Sequence, residues 1–275
     1  MTATTTTTKT AYDTSYGNNA AENYEKYFAP VIPRPFGTDL IRDAYLQPGE
    51  RVLDVACGTG TIARLAAEQV APDGSVSALD VNAAMLSVAR SIPAALPIKW
   101  YETTAESIPL PDQSFDVVFC QLGLMFVEDK NAALREMHRV LRPGGRLYLS
   151  TALPNRFFDV LDRAVARNVS QEASAFVHAV FSVNDPAELR KLLVSAGFDP
   201  QQIGPNVRQV QLPAPRDFMW QYIYCTPLMV LLPQSGTPQT EALEREVTAG
   251  WQPWVNDEGM SIEQAVLVAS ARRPA

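Results

Sequence analysis

The sequence predicts an α/β fold, a mainly parallel sheet with helices on both faces and helical insertions beyond it. Three observations predict it. Apolar β-type runs alternate with stretches of helical period between residues 51 and 150, Gly and Pro turn signals separate them, and one glycine-rich bend lies directly between a strand and a helix. Strands alternating with helices at this spacing form right-handed βαβ units, which lay their strands side by side in parallel. The chain has 275 residues, 47% of them apolar, enough for one large domain with a cap.

Residues 1–10, MTATTTTTKT, read as a disordered threonine-rich tail, 11–47 as an N-terminal helical cap, and 48–275 as the main domain. In the cap, Tyr24, Tyr27, Phe28 and Val31 fall at i, i+3, i+4 and i+7, an apolar helical stripe that Pro30, Pro33 and Pro35 then break. A second helix over about 36–46 runs to the Pro48-Gly49 turn. RVLDVA at 51–56 is a buried strand, Gly58-Thr59-Gly60 a tight turn, and Ile62, Leu65, Ala66 and Val70 one side of a helix. Pro72-Asp73-Gly74 turns the chain into a strand, SVSALDV, at 75–81. Asn82 can cap the next helix, on which Met85, Val88, Ala89 and Ile92 share a face. Strands follow near 98–102 and at 115–120, then a helix at 130–141 that Pro143-Gly144-Gly145 ends, and a strand at 146–150.

Beyond 150 the alternation loosens. Phe158, Leu161, Val165 and Val169 mark one helix, and Asp185-Pro186 starts another that Gly197 stops. Short strands are expected at 207–212 and 263–271, with lid insertions near 152–184 and 213–260.

The net charge of −7 and the lack of a basic run exclude a nucleic-acid partner, whose phosphates need neutralising. No stretch is long enough to span a membrane, and the N-terminus lacks a secretory apolar run. Cys57, Cys120 and Cys225 are isolated and fit neither zinc nor disulfide spacing, so no metal site is expected and a cytoplasmic location is.

The informative stretch is DVACGTG at 54–60. A strand ends, two glycines let the backbone turn sharply, and a helix opens with free N–H groups. Asp80 closes the next strand, where an acid can accept hydrogen bonds from both ribose hydroxyls of an adenine nucleoside. Two ligands suit this pattern, a nicotinamide dinucleotide and S-adenosylmethionine. A carboxylate at Asp54 would repel a pyrophosphate seated on the helix N-terminus, yet attract a cationic amino-acid end. The electrostatics favour S-adenosylmethionine.

VLDVACGTG, ALDVNAAML, AESIPLPDQSFDVVFCQLGLMFV and REMHRVLRPGGRLYLS resemble, in order, the motifs of class I S-adenosylmethionine-dependent methyltransferases, in the small-molecule branch that includes the ubiquinone and menaquinone C-methyltransferases. The resemblance runs through about residues 48–151. It implies a Rossmann-like sheet of seven strands with the last antiparallel, a role that 263–271 fits. It also implies that Asp54, Ala56, Gly58 and Gly60 line the methionine and ribose portion and that Asp80 binds the ribose diol. Val81 and Met85 would pack on adenine, Ala105 and Glu106 would flank its amino edge, and Gln121 would face the reacting methyl.

Methyl transfer from a sulfonium asks mainly for alignment and exclusion of water, so no obligatory catalytic residue is legible. His178, in the expected lid, is the candidate base should the acceptor need to lose a proton, while His138 reads as structural. Tyr24, Tyr27, Phe28, Trp220 and Tyr224 are candidates for an apolar acceptor pocket. A phenol, quinone or polyketide-like acceptor is therefore expected over a sugar or nucleotide. The rival readings are an NAD(P)-dependent oxidoreductase and a non-catalytic S-adenosylmethionine-binding protein.

Overall fold

The computed structural model describes residues 20–232 and 237–275, so the tail expected at 1–10 and the start of the cap lie outside the described residues. Helix α1 (Ala20–Asn23) passes into a π-helical turn, Tyr24–Phe28, and α2 follows at Pro33–Ala44. The alternating core is then β1 (Arg51–Val55), α3 (Thr61–Val70), β2 (Ser75–Asp80), α4 (Ala83–Ser91), β3 (Ile98–Glu102), β4 (Phe115–Gln121), α5 (Lys130–Val140) and β5 (Leu141–Ala152). As expected, Asn82 caps α4, its side-chain oxygen accepting from the backbone N–H groups of Ala84 and Met85. The boundary after α5 differs from the expected one. β5 begins at once after α5, and Pro143-Gly144-Gly145 bulges out of the ladder where the register jumps from Phe115↔Leu141 to Val117↔Arg146.

With β6 at Asp199–Leu212 and β8 at Gly259–Arg272, the strands run in the order β3-β2-β1-β4-β5-β8-β6. β1 to β5 pair in parallel, and β8 runs antiparallel to both β5 and β6. A two-residue strand β7 (Val255–Asn256) forms a hairpin with β8, an eighth strand beside the expected seven. Alternate residues supply the two faces, as the pleat requires. Val52, Val76, Val117 and Phe119 meet α2 and α3, whereas Leu53, Leu79, Val118 and Leu147 meet α5 and α8 (Pro186–Ser195).

β6 and β8 are longer than the 207–212 and 263–271 read from sequence. β5 pairs with β8 only over residues 266–272, so the ribbon of 207–212 and 259–265 overhangs the sheet. On that overhang sits a second apolar core built from α6 (Arg156–Asn168), α7 (Gln171–Val180), α9 (Pro215–Tyr224), α10 (Leu228–Leu231) and α11 (Pro238–Gly250). At its centre Phe157 and Trp251 stack with ring centroids 4.2 Å apart, and the indole N–H of Trp251 donates to the Phe157 carbonyl at 2.8 Å. These helices occupy both regions expected as lid insertions. Among the described residues no helix is long and apolar enough to cross a membrane.

α2 is fastened across the sheet edge by one buried acid. Asp39 accepts from Arg208 at 2.6 and 2.7 Å, from Asn206 at 2.9 Å and from Arg42 at 2.9 Å. The Arg208 hydrogen bonds hold its carboxyl down at about 2. Asp39→Asn should therefore cost about 2 kcal/mol at neutral pH in urea unfolding. A depressed folded value places this contribution above about pH 4, and it fades as pH falls towards about 2, so the gap between the two proteins should close over that window. A gap that persists undiminished at the acid end would contradict the network.

Candidate functional site

The site is built where β1 and β2 end. Asp54 is buried in β1, and its carboxylate accepts from the Ala63 N–H in the first turn of α3 at 3.0 Å. Asp80 closes β2 and accepts from the Gly58 N–H at 2.7 Å and the Asn82 N–H at 2.8 Å. The chain between them bends through Ala56, Gly58 and Gly60, all at positive φ (+55°, +54° and +82°). The two glycines serve different ends. A Cβ on Gly58 would meet nothing within 4 Å, since it faces open space, whereas one on Gly60 would lie 2.5 Å from the Trp100 indole of β3. Arg64 of α3 donates to the Thr59 carbonyl and, at 3.0 Å, to Glu25 of the π-helical turn, fastening the bend to the N-terminal segment.

Burial outweighs the hydrogen bond to Asp54 and pushes its carboxyl up to about 8, with Asp80 adding repulsion. Asp80 is raised too, again by burial first. Burial thus shifts both carboxyls towards the protonated form, against the standing negative charge expected at the strand tip.

Asp54, Ala56, Gly58, Asp80, Val81, Met85, Ala105, Glu106 and Gln121 all line one cavity of about 300 Å³. Gly60 does not, because it backs onto Trp100 instead. Val81 is 46% exposed, an apolar surface open to a ligand, and the Thr59 hydroxyl is buried without a protein partner. The loop carrying Ala105 and Glu106 is held by Arg139, which donates to the carbonyls of Ile108 and Leu110. Gln121 donates its amide to the Pro33 carbonyl at 2.7 Å and so ties the start of α2 to the tip of β4. Thr59, Thr104, Leu122 and Glu128 also line the cavity and were not foreseen. Leu122 adopts φ +51° just past β4, a conformation no leucine announces.

A second cavity of about 90 Å³ adjoins the first, and Tyr24, Leu122, Phe126 and Phe176 line both. Of the residues expected at an acceptor pocket, Tyr24 and Phe28 are here, their rings 5.4 Å apart. Tyr27 is not, because the wider π-helical winding rotates it off the Tyr24–Phe28 face, and Lys26 lies over its ring. Trp220 and Tyr224 are corrected likewise. α9 buries Phe218, Met219, Tyr222 and Ile223 and turns Trp220 and Tyr224 to the outer side, where the Trp220 indole donates to Glu244. His178 is corrected as a base. It is 71% exposed, pairs with Asp162 at 2.9 Å and borders neither cavity. His138 packs edge-on against Phe198, and burial lowers its pKa, as befits a structural residue. Burial pushes the Cys120 and Cys225 thiols up to about 12 and raises that of Cys57 well above its ordinary value, so none is a ready nucleophile.

Residues 53–149 match a family model described as a methyltransferase domain. A ubiquinone/menaquinone biosynthesis C-methyltransferase UbiE of Stenotrophomonas maltophilia is 47% identical over 135 residues, 46% of this chain and 53% of that protein. The UbiE of Neisseria meningitidis is 34% identical over 202 residues, 66% of this chain and 81% of that protein. The chain spans about half the length of the Stenotrophomonas relative and of its Xanthomonas counterparts. Among solved structures, the YcgJ protein of Bacillus subtilis has a TM-score of 0.56 at 20% identity, covering 87% of this chain and 98% of that one. Haemonchus contortus phosphoethanolamine N-methyltransferase 2, solved with phosphomonomethylethanolamine and S-adenosylhomocysteine, has a TM-score of 0.57 at 18% identity, covering 95% and 58%. These two likenesses show the shared fold.

Ala56 and Gly123 are coupled by contact, since a Cβ on Gly123 would lie 2.6 Å from that of Ala56. Gly123→Ala should destabilise by about 1–3 kcal/mol. Adding Ala56→Gly removes both the clash and the left-handed alanine, so the double variant should recover most of the loss. A double-mutant cycle by chemical denaturation measures this, and additive effects would refute the contact.

Proposed function

This chain belongs to the S-adenosylmethionine-dependent methyltransferase family, and we propose that it transfers a methyl group from S-adenosylmethionine to a small organic acceptor. One observation carries the reading. The carboxyl groups of Asp54, Asp80, Glu106 and Glu128 line the larger cavity, with no Lys, Arg or His among the described lining residues. Such a wall suits a cationic amino acid joined to a nucleoside and opposes a dinucleotide diphosphate.

The residues present fit the cofactor. A carboxylate has about four lone-pair sites, so Asp80 can hold the Gly58 and Asn82 amides and still accept from a ribose diol. Val81 and Met85 would pack on the adenine, with Ala105 and Glu106 along its amino edge. Asp54 would meet the ammonium, while the Thr59 hydroxyl and the bend around Gly58 would meet the carboxylate. Gln121 would stand at the methionine end. When bound, the cofactor supplies a methyl made electrophilic by a sulfonium leaving group. The protein's part is alignment and dryness, and the helices over the strand ends would provide the second. The UbiE relatives, C-methyltransferases of ubiquinone and menaquinone biosynthesis by name, extend the reading to methylation at carbon on a quinone-type acceptor.

Asp80→Asn should weaken S-adenosylhomocysteine binding at least tenfold by calorimetry. Labelled methyl from S-adenosylmethionine should pass to an acceptor pool while NADH fluorescence stays unchanged. Binding of NADH without binding of S-adenosylhomocysteine would sink the proposal.

Cofactor binding should also release a proton. An ammonium beside Asp54 favours its carboxylate, so a group at about 8 in the free protein titrates downward on binding, and affinity should rise between about pH 6 and 8. Calorimetry in buffers of different ionisation enthalpy detects the proton. Equal apparent enthalpies at neutral pH would count against this role for Asp54.

A further inference from the structure

The second cavity lies on the seam between two hydrophobic cores. Leu122, Val180 and Phe181 pack against both the core under the sheet and the core of the helical layer, and all three line the cavity. Well-packed interiors rarely leave such a void, because unfilled space forfeits dispersion contacts. Its position is also particular. It meets the cofactor cavity across Tyr24, Leu122, Phe126 and Phe176, so a molecule held in it is within reach of a group presented there.

The walls state what it would hold. They are largely apolar, from Phe28, Ile32, Met125, Phe158, Val266 and neighbours, and no Asp, Glu, Lys, Arg or His is among the described lining residues. Its polar side chains are engaged with the protein. The Gln264 amide binds Asn155 and the Ala265 carbonyl, the Cys225 thiol donates to the Tyr222 carbonyl, and the Thr226 hydroxyl to that of Ile223. Tyr222 lies 5.7 Å from Phe28 and 5.5 Å from Phe158, and Phe158 lies 5.6 Å from Phe181, all tilted or edge-on. Rings so disposed complement another ring inserted between them. A dry cavity of roughly 150 Å³ takes up benzene, so about 90 Å³ limits an occupant to a single ring at most.

We infer that this second cavity is the acceptor chamber and that it takes a compact, neutral, single-ring compound. The inference rests on the methyltransferase reading above, and it adds the acceptor's place, polarity and size. Phe126 and Phe176, stacked 6.4 Å apart, form the wall past which the ring presents its reacting atom.

The test uses the full chain saturated with S-adenosylhomocysteine and, as probe, p-cresol. Val180→Phe fills the chamber from a position outside the cofactor cavity. S-adenosylhomocysteine should bind both proteins within twofold, while p-cresol should bind the variant at least tenfold more weakly. Phe181→Ala, which enlarges the chamber, should bind 2-naphthol more tightly than the unsubstituted protein does, and this arm decides should Val180→Phe not fold. Equal p-cresol binding by the chain and Val180→Phe overturns the inference. So does tighter binding of ethanolamine, or of a hydroquinone bearing a geranyl chain, than of p-cresol. Failure of S-adenosylhomocysteine to bind at all defeats the methyltransferase reading itself, and the chamber with it.

Discussion

The site depends on burying two carboxyls at the ends of adjacent parallel strands. Removing a charged carboxylate from water is costly unless donors replace the lost hydration. Asp54 finds one in the first turn of α3, at the amide of Ala63, and Asp80 in the bend before it, at the amide of Gly58. The bend thus takes its shape from the acids as much as from its glycines. Parallel pairing sets Val55 against Leu79 and brings the two strand tips level, and the Cys57 N–H reaches the Leu79 carbonyl at 2.9 Å. Because β1 has β2 on one side and β4 on the other, the chain leaves in opposite directions from neighbouring strands. A crevice opens at that switch. The cavity is the crevice, closed by whatever the chain places above it.

What closes it is a layer with a core of its own. The overhang of β6 and β8 carries the helices outward, and the stacked Phe157 and Trp251 knit α6 to the end of α11. At the other side, Arg64 with Glu25 and Gln121 with Pro33 draw the N-terminal segment down onto the strand tips. Polar ties on one flank and an apolar core on the other hold the roof without filling the space beneath it. A roof packed as a simple continuation of the sheet's core would leave no chamber.

Much of the core was legible because one face or one period decides it. The strand at 98–102 matches β3 residue for residue, and 75–81 overshoots β2 by one. The glycine bend and Asp80 were legible for the same local reason, since turn chemistry and strand ends write themselves into short stretches. The misses have non-local causes. Residues 199–206 carry Pro200, Gly204 and Pro205, poor strand formers, yet they pair with β8 because β6 is an edge strand whose prolines need not donate inward. Tyr27 left its expected face through one π-helical turn, and Trp220 and Tyr224 did so through the rotation of α9 about its axis. Neither angle is written in the residue types. Leu122 takes a glycine-like conformation at the strand tip, beside a Gly123 whose Cβ would lie 2.6 Å from that of Ala56, a crowding visible only in three dimensions.

The charge pattern of the cavity also changes meaning between sequence and structure. Read as a motif, Asp54 is a negative charge awaiting a cation. Folded, it is an acid so deeply buried that its own environment favours the proton, with Asp80 close by discouraging a second charge. Both descriptions point to the same ligand, for different reasons. A fixed charge would attract any cation and would burden the fold with desolvation when empty. A carboxyl that burial tilts towards its protonated form lightens that cost, and on the proposed reading it would ionise beside the ammonium of a ligand able to enter fully. On the proposed reading, selectivity would come from the coincidence of a buried cation, a diol at Asp80 and a ring on Val81, which few metabolites supply together.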